Sequence, residues 1–299
     1  MNKFLSGPGL IVLAAFLWGI DGILRRSLFS LPPITIVFYE HLIGLIVLLP
    51  FFLRTARGEK LTGREWGAML LVGTLSSVLG TLWFTTALLK TGFIAFSVVF
   101  LLQKLQPVFT VATAAIVLKE KITKQYILWA GLAFVAAYFV TFPGGRVNLT
   151  TGRDGVIAAL FAVGAAFAWG STTAFSRYAL LKHPPAYIAG LRFAIAVAFS
   201  ILLIPLIPGA APTLGAVTAD QLWKLLAIVL TSGMVALWIY YRGLKHTEAK
   251  VATILELIFP MTAVFIDVFL YDTLLAPSQY AAALVLLYAA ARVAKLNKA

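Results

Sequence analysis

The sequence predicts an all-α integral membrane protein of ten transmembrane helices, arranged as two inverted five-helix repeats. Three observations predict it. Of the 299 residues 61% are hydrophobic and only 12% charged, whereas a soluble domain is about half apolar and a quarter charged. The apolar residues fall into ten runs, each close to the roughly 20 residues a helix needs to cross the hydrocarbon of a bilayer. Blocks of the first half also recur, in order, in the second.

The runs cover residues 8–28, 33–53, 65–88, 92–118 and 125–142, then 155–180, 186–207, 221–244, 249–270 and 277–294. Turn formers separate them, among them Pro32-Pro33, Pro143-Gly144-Gly145, Pro184-Pro185 and Pro208-Gly209. Every connection is short, which leaves no room for a soluble catalytic domain. Lys3 ahead of an apolar run resembles a secretion signal. No small-residue cleavage site leads into a soluble region, so the first helix is expected to be retained. The aliphatic and aromatic content excludes disorder. With no cysteine there is no disulfide framework, no thiolate metal site and no cysteine nucleophile.

The net charge of +13 invites a nucleic-acid reading. Nucleic-acid binders gather Lys and Arg on one face of a folded domain, but here the basic residues sit in short clusters between apolar runs, as in cytoplasmic membrane loops. The expected partner of these charges is the anionic leaflet of the bilayer, not nucleic acid. Sixteen Lys and Arg fall on the N-terminal side of the spans and five on the other. The asymmetry predicts a multi-pass protein of the cell (inner) membrane with both termini cytoplasmic.

The repeat is read from five matches. Ala14-Ala15-Phe16-Leu17-Trp18-Gly19 returns 151 residues later as Ala165-Ala166-Phe167-Ala168-Trp169-Gly170, and Arg26 falls on Arg177. Pro32-Pro33 falls on Pro184-Pro185, and Ala87-Leu88-Leu89-Lys90-Thr91 on Gly243-Leu244-Lys245-His246-Thr247. Gln106-Pro107-Val108 matches Phe259-Pro260-Met261, and Leu118-Lys119-Glu120 matches Leu270-Tyr271-Asp272. The expected units are residues 1–145 and 150–299. An odd number of spans in each inverts one unit relative to the other, the architecture of carriers that open alternately to either side of a central site.

The Trp-Gly closing the first span of each half resembles the drug/metabolite transporter superfamily, specifically its ten-span members built from two EamA-type repeats. So do the Leu-Gln-Pro and Phe-Pro of the fourth spans, with Leu-Lys-Glu and Leu-Tyr-Asp after them. The likeness covers the whole chain. It implies a metabolite exporter without a cofactor, in a superfamily that moves amino acids, nucleotide sugars, sugar phosphates, cationic drugs and choline-like compounds. One departure concerns charge: the arginine such repeats often carry in their second helix stands at Arg192, while its counterpart in the first half is Glu40.

Ionisable groups at membrane depth face the bundle or a wet cavity. Lys104 shares a helical face with Gln103 and Pro107, and Glu256 lies four residues before Pro260 on the corresponding span, one turn after Thr253. Lys104, Gln103, Glu256, Thr253 and Glu40 are therefore expected to line a substrate site, with Glu256 either paired to Lys104 or carrying a coupling proton. His41, Arg192, Pro107 and Pro260 join Glu256 as coupling or gating candidates, Pro107 because its missing N–H kinks the helix and frees a carbonyl at Gln103. Trp18, Trp169, Trp83, Tyr39 and Trp238, with Tyr240, are candidates for an aromatic wall. Asp21 and Arg25 are spaced for a plain intrahelical pair. Gly73/Ser77 and Ser76/Gly80 read as helix contacts. No role is expected for His183 or His246.

The function expected is a secondary transporter that exports a small polar or amphipathic, amino-acid-like metabolite by alternating access, with a monomer sufficient. Export of cationic drugs or quaternary amines is the alternative within the class. An intramembrane enzyme or a sensor is the alternative outside it. No His-Glu-x-x-His, Gly-x-Gly-Asp, Gly-x-Ser-x-Gly or phosphate-binding loop is present, so neither an enzyme nor a metal site is expected.

Overall fold

The structure is a computed structural model that describes residues 7–90, 102–103, 105–146, 153–259, 262 and 276–298. All regular structure among these residues is helical. Helix α1 (Gly7–Arg26) turns at Pro32 into α2 (Pro33–Ala56). Helix α3 (Gly63–Leu71) passes through a π-helical stretch, Val72–Gly80, into α4 (Thr81–Lys90). Helices α5 (Gln106–Val117) and α6 (Lys124–Thr141) follow. The second half holds α7 (Arg153–Leu180), α8 (Pro185–Leu203), α9 (Ala219–Leu230), α10 (Met234–Lys245), α11 (Ala249–Leu255) and α12 (Pro277–Ala294). Parts of the expected spans 92–118 and 249–270 lie outside the described residues.

Local chemistry fixes the helix starts. Pro33, Pro185 and Pro277 open α2, α8 and α12, where a missing N–H costs nothing. Thr62 and Glu65 form a capping box at α3, Thr218 and Gln221 another at α9, and Thr123 caps α6. Among the described residues five helical segments are long and apolar enough to cross a membrane: Pro33–Ala56, Gly63–Lys90, Val156–Leu180, Pro185–Leu206 and Ala219–Lys245. Ile46, Ile116, Leu128, Leu160, Leu202 and Leu284 are each more than half exposed. Apolar side chains turned outward from so many helices are stable only against lipid.

Contacts between turns define two ends of the bundle. At one, the α2–α3 turn meets the α7–α8 turn. Lys182 Nζ lies 2.8 Å from Glu65 Oε1, His183 Nδ1 bonds Glu59, and Lys245 Nζ donates to the His183 carbonyl at 3.0 Å. Its hydrogen bond to Glu65 raises the pKa of the exposed Lys182 ammonium above the ordinary lysine value. The start of α1 is at this end too, with Gly7 against His246 and Thr247. At the other end the α1–α2 turn meets the α8–α9 connection: Gln221 Nε2 donates to Ser30 Oγ at 3.0 Å, and Tyr39 OH to the Leu214 carbonyl at 2.6 Å. Helix α1 runs from the first end to the second and α7 runs back.

The most extensive packing joins the two halves. Helix α2 lies on α8 and α6 on α12, while α7 packs against α4 and α5, and α1 against α10 and α11. Each pairing has a counterpart: α2 with α8 and α6 with α12 join like to like, and α1 meets α10 and α11 as α7 meets α4 and α5. Helices α1 and α7 take central positions because small residues let them approach their neighbours; Ala14, Ala15, Ala165 and Ala166 are wholly buried.

Two runs expected to be continuous are not. Run 65–88 holds the π-helical stretch, and run 221–244 breaks at Thr231–Gly233 between α9 and α10. Each departure turns hydroxyls into the bundle. Ser76 and Ser77, adjacent in the π-segment, both meet Arg192, and Ser232 meets Asp21. A wider turn brings consecutive side chains to one partner in a way a regular α-helix does not.

Candidate functional site

The site forms where two interrupted helices cross. Helix α11 stops at Leu255, the chain turns through Glu256 and Leu257, and helix resumes at Ile258. Leu257 N bonds the Ile254 carbonyl at 3.2 Å and Phe259 N the Glu256 carbonyl at 2.9 Å, three-residue steps in place of four. The first half repeats this: Leu105 N bonds Leu102 at 3.1 Å and Val108 N bonds Leu105 at 3.0 Å before α5 gets under way. Pro107 sits in the first turn of α5, where its absent N–H goes unmissed. The proline marks a stop and restart, a sharper break than the expected kink. Pro260 lies outside the described residues.

The two breaks are bonded to each other. Gln106 Nε2 donates to Glu256 Oε2 at 2.8 Å, and Tyr240 OH of α10 donates to Glu256 Oε1 at 2.6 Å. The Trp18 ring stands 5.0 Å from that of Tyr240, tilted by 52°. Trp18, Gln106 and Glu256 are only half-buried. Among the described residues Gln103 Nε2 and Thr253 Oγ1, on the same two interrupted helices, are buried without a hydrogen-bond partner. Buried polar groups are nearly always paired in a folded protein, which sets these two apart. Among the described residues no three His, Asp or Glu gather as metal ligands do.

The Trp-Gly repeat holds this crossing together. A Cβ on Gly170 would stand 2.5 Å from the Gln106 carbonyl and 2.8 Å from Phe109 Cβ, and one on Gly19 would stand 2.6 Å from Thr262 Cβ and 3.3 Å from the Phe259 carbonyl. In each half the glycine of the first helix lies against the interrupted fourth helix of the other half, at matching positions. Gly170→Ala is expected to cost about 1–3 kcal/mol, the usual range for forcing a methyl into a close-packed contact. It should also weaken the Gln106–Glu256 bond, read as a lower melting temperature and lost transport, whereas Gly131→Ala, at a position open to solvent or lipid, should leave both unchanged.

The other expected site residues are dispersed. Lys104 lies outside the described residues, and so does any pair it makes; the described partners of Glu256 are Tyr240 and Gln106. Glu40 receives Arg25 Nη2 at 2.9 Å, which joins the Asp21–Arg25 pair to a second acid. Arg192 donates to Ser77, Tyr241 and Ser76. His41 Nδ1 meets the Val37 carbonyl at 2.7 Å and its ring lies on Phe193. Trp169 Nε1 donates to the Ser76 carbonyl at 3.0 Å and its ring packs on Phe84. Tyr39 is tied to Leu214 near the second end. Trp83 lines an apolar cleft of about 530 Å³ with Pro33, Leu82 and Phe161, and Trp238 packs on Phe51.

Sequence reasoning passed over Tyr240 as a ligand of Glu256, Gln106 as the link between halves, and Glu120. Glu120 Oε1 accepts from Arg177 Nη1 at 3.1 Å and from Ala249 N at 2.8 Å, while Oε2 accepts from Lys250 N at 3.0 Å. Lys119, at φ 55°, supplies the left-handed turn after α5 that throws Glu120 back onto α11. The repeated Leu-Lys-Glu block was the available signal. His183, given no role, bridges the turns at the first end.

The family model for EamA-like transporters matches residues 5–142 and again residues 156–294. The chain belongs to the EamA-like transporter family. It is 33% identical over 99% of its length, and the whole of the relative, to a protein of Fusobacterium nucleatum named riboflavin transporter ImpX. An uncharacterized transporter of Clostridium kluyveri is 26% identical over 78% of this chain and 74% of its own. A solved crystal structure superposes with a TM-score of 0.73 at 19% identity, covering 97% of this chain and 96% of that one, a likeness of fold. The chain is a multi-pass membrane transporter of a small molecule and not an enzyme.

Proposed function

We propose that this chain is a ten-span secondary transporter of two inverted repeats, working by alternating access, whose substrate is a planar heteroaromatic metabolite of the riboflavin kind. The observation that carries the reading is the fixed acceptor at the helix crossing. The Glu256 carboxylate is held by Tyr240 and Gln106 beside the Trp18 ring. An isoalloxazine offers a flat face to Trp18 and, along one edge, an imide N–H between two carbonyls. The carboxylate accepts from that N–H and the Gln106 amide donates to a carbonyl. Gln103 and Thr253 remain for the hydroxylated chain. The name of the Fusobacterium relative supports the same substrate class. The expectation of an amino-acid-like solute rests on Lys104, which lies outside the described residues; the described donors beside the Trp18 ring, Tyr240 and Gln106, are uncharged and suit a flat ring. Basic turns on the N-terminal side favour the inner membrane with cytoplasmic termini, and one chain contains both halves of the pathway, so it serves as a monomer. Glu256 is the carrier of a coupling proton in this reading.

Counterflow of labelled riboflavin in proteoliposomes, beside a panel of amino acids and quaternary amines, tests it. Riboflavin is expected to exchange. Trp18→Ala should reduce that exchange about tenfold, as loss of an aromatic contact worth ~1 kcal/mol with the apolar area it covers implies. Glu256→Gln should transport with a flattened pH dependence, and reversing the pH gradient gives the direction of net flux. Exchange of amino acids or amines with none of riboflavin overturns the substrate; an unchanged pH profile in Glu256→Gln overturns the carrier.

A further inference from the structure

We infer that two buried polar networks, built at equivalent positions of the two repeats and bearing opposite charge, are the gates at the two ends of the pathway; this rests on the transporter reading above. The offsets that align the repeats carry Arg25 onto Ser176, Glu40 onto Arg192 and Thr85 onto Tyr241. These six residues form two bonded triads. In the first half Arg25 reaches Glu40 at 2.9 Å and Thr85 at 3.4 Å. In the second, Arg192 reaches Tyr241 at 2.9 Å and Tyr241 reaches Ser176 at 3.1 Å. Each triad ties together the first, second and third helices of its own half. The first stands near the end where the α1–α2 turn lies and the second near the end of the α7–α8 turn, because α1 and α7 run in opposite directions.

Each triad is also fastened across to the other half, and again at equivalent places. The third-helix offset carries Ser76 and Ser77 onto Ser232 and Gly233, so the π-helical stretch and the break between α9 and α10 are the same feature in two forms. Arg192 donates to Ser77 at 2.6 Å and to Ser76 at 3.0 Å. Ser232 donates to Asp21, the partner of Arg25, at 2.8 Å, and a Cβ on Gly233 would stand 3.4 Å from Glu40 Oε1. Opening a passage to either end requires the halves to part near these bonds, and they are among the polar bonds that must be exchanged, beside the turn contacts Lys182–Glu65 and Gln221–Ser30 at the two ends. Packed elements of this sort have two discrete arrangements and do not stretch continuously.

The exchange of charge between equivalents gives the gates different strengths. The guanidinium stands on the first helix of the first half, at Arg25, and on the second helix of the second half, at Arg192. The first gate pairs one guanidinium with two carboxylates and, among the described residues, crosses to the other half through a single serine. The second sets one guanidinium against hydroxyls and crosses through two. Where Ser77 supplies the second hydroxyl, Gly233 supplies none. The first gate is therefore the easier to open.

The chain has no cysteine, so single-cysteine reporters need no altered background. Thr253→Cys and Gln103→Cys place thiols at the crossing, for labelling by a membrane-impermeant maleimide from either face of sealed vesicles. Ser232→Ala or Thr85→Val loosens the first gate and Ser77→Ala or Tyr241→Phe the second, with no buried charge left unpaired. Ser232→Ala, Thr85→Val and Ser77→Ala each remove one hydrogen bond and Tyr241→Phe removes two; the ~fivefold change in equilibrium that goes with one bond should appear as a ~fivefold change in labelling rate, larger for Tyr241→Phe. Labelling should rise from one face for the first pair and from the opposite face for the second. Acceleration from the same face by both pairs, or from neither, overturns the gates while the site stands. Silence of both reporters in every background overturns the site itself.

Discussion

Arg25→Met is expected to cost the protein about 3–5 kcal/mol, the penalty of leaving buried charge without its partner. Arg25 is 3% exposed and holds two carboxylates at once, Asp21 at 2.7 Å and Glu40 at 2.9 Å. Methionine fills much of the same apolar volume, so the loss is electrostatic and not a cavity. The triple variant Arg25→Met, Asp21→Asn, Glu40→Gln removes the charges together and should recover most of the stability, since buried ionic groups replaced as a set are often close to neutral. Asp21→Asn alone keeps the Glu40 pair and should cost far less. Thermal unfolding in lipid nanodiscs reads all three. A triple variant that melts no higher than Arg25→Met would mean that the methionine fails by packing and that charge balance does not hold this end.

The architecture was legible because it depends on composition and order. Runs of apolar residues, turn formers between them and the repeated Ala-Ala-Phe-x-Trp-Gly block are carried by the chain itself, and Pro277–Ala294 coincides with an expected run to the residue. The breaks inside the third helices were not legible. Leu75, Ser76 and Ser77 read as well in an α-helix as in a π-helical stretch, and the partner that both serines meet there is Arg192, 115 residues away from Ser77. Likewise Asp21 and Arg25 are spaced as a local pair; Glu40 joins them only because the α1–α2 turn folds α2 back alongside α1.

The site was half legible for a related reason. Glu256 and Gln103 stand out as polar residues four before a proline, and the structure sets both on the interrupted helices. Gln106 is one residue from Pro107 and looked like part of the motif's scaffolding, yet its side chain makes the bond to the other half. Tyr240 was grouped with five aromatics as a wall, and its hydroxyl, which orders the carboxylate, separates it from them. Of the rest, Tyr39, Trp83, Trp169 and Trp238 have partners of their own elsewhere. Aromatic content alone does not say which ring faces a cavity, because lipid, core and lining all accept the same side chain.

Glu120→Ala is expected to cost about 3 kcal/mol or more and to abolish transport. Three bonds converge on this carboxylate: the Arg177 guanidinium and the amides of Ala249 and Lys250. The two amides are first-turn donors of α11, which have no partner within the helix. Alanine leaves them and Arg177 without their acceptor in a buried place, where an unmet donor costs about 1–3 kcal/mol and a charged one more. Arg177 would keep its 2.7 Å bond to the Thr247 carbonyl, which limits the loss. Transport suffers because α11 is seven residues long and ends at Glu256. A helix that short has little intrinsic stability, so releasing its start releases the site at its other end. Glu120→Gln retains an acceptor oxygen and should be intermediate in melting temperature and in counterflow. If Glu120→Ala transports normally, the start of α11 is held by its packing alone and the clamp from the first half is dispensable to the site.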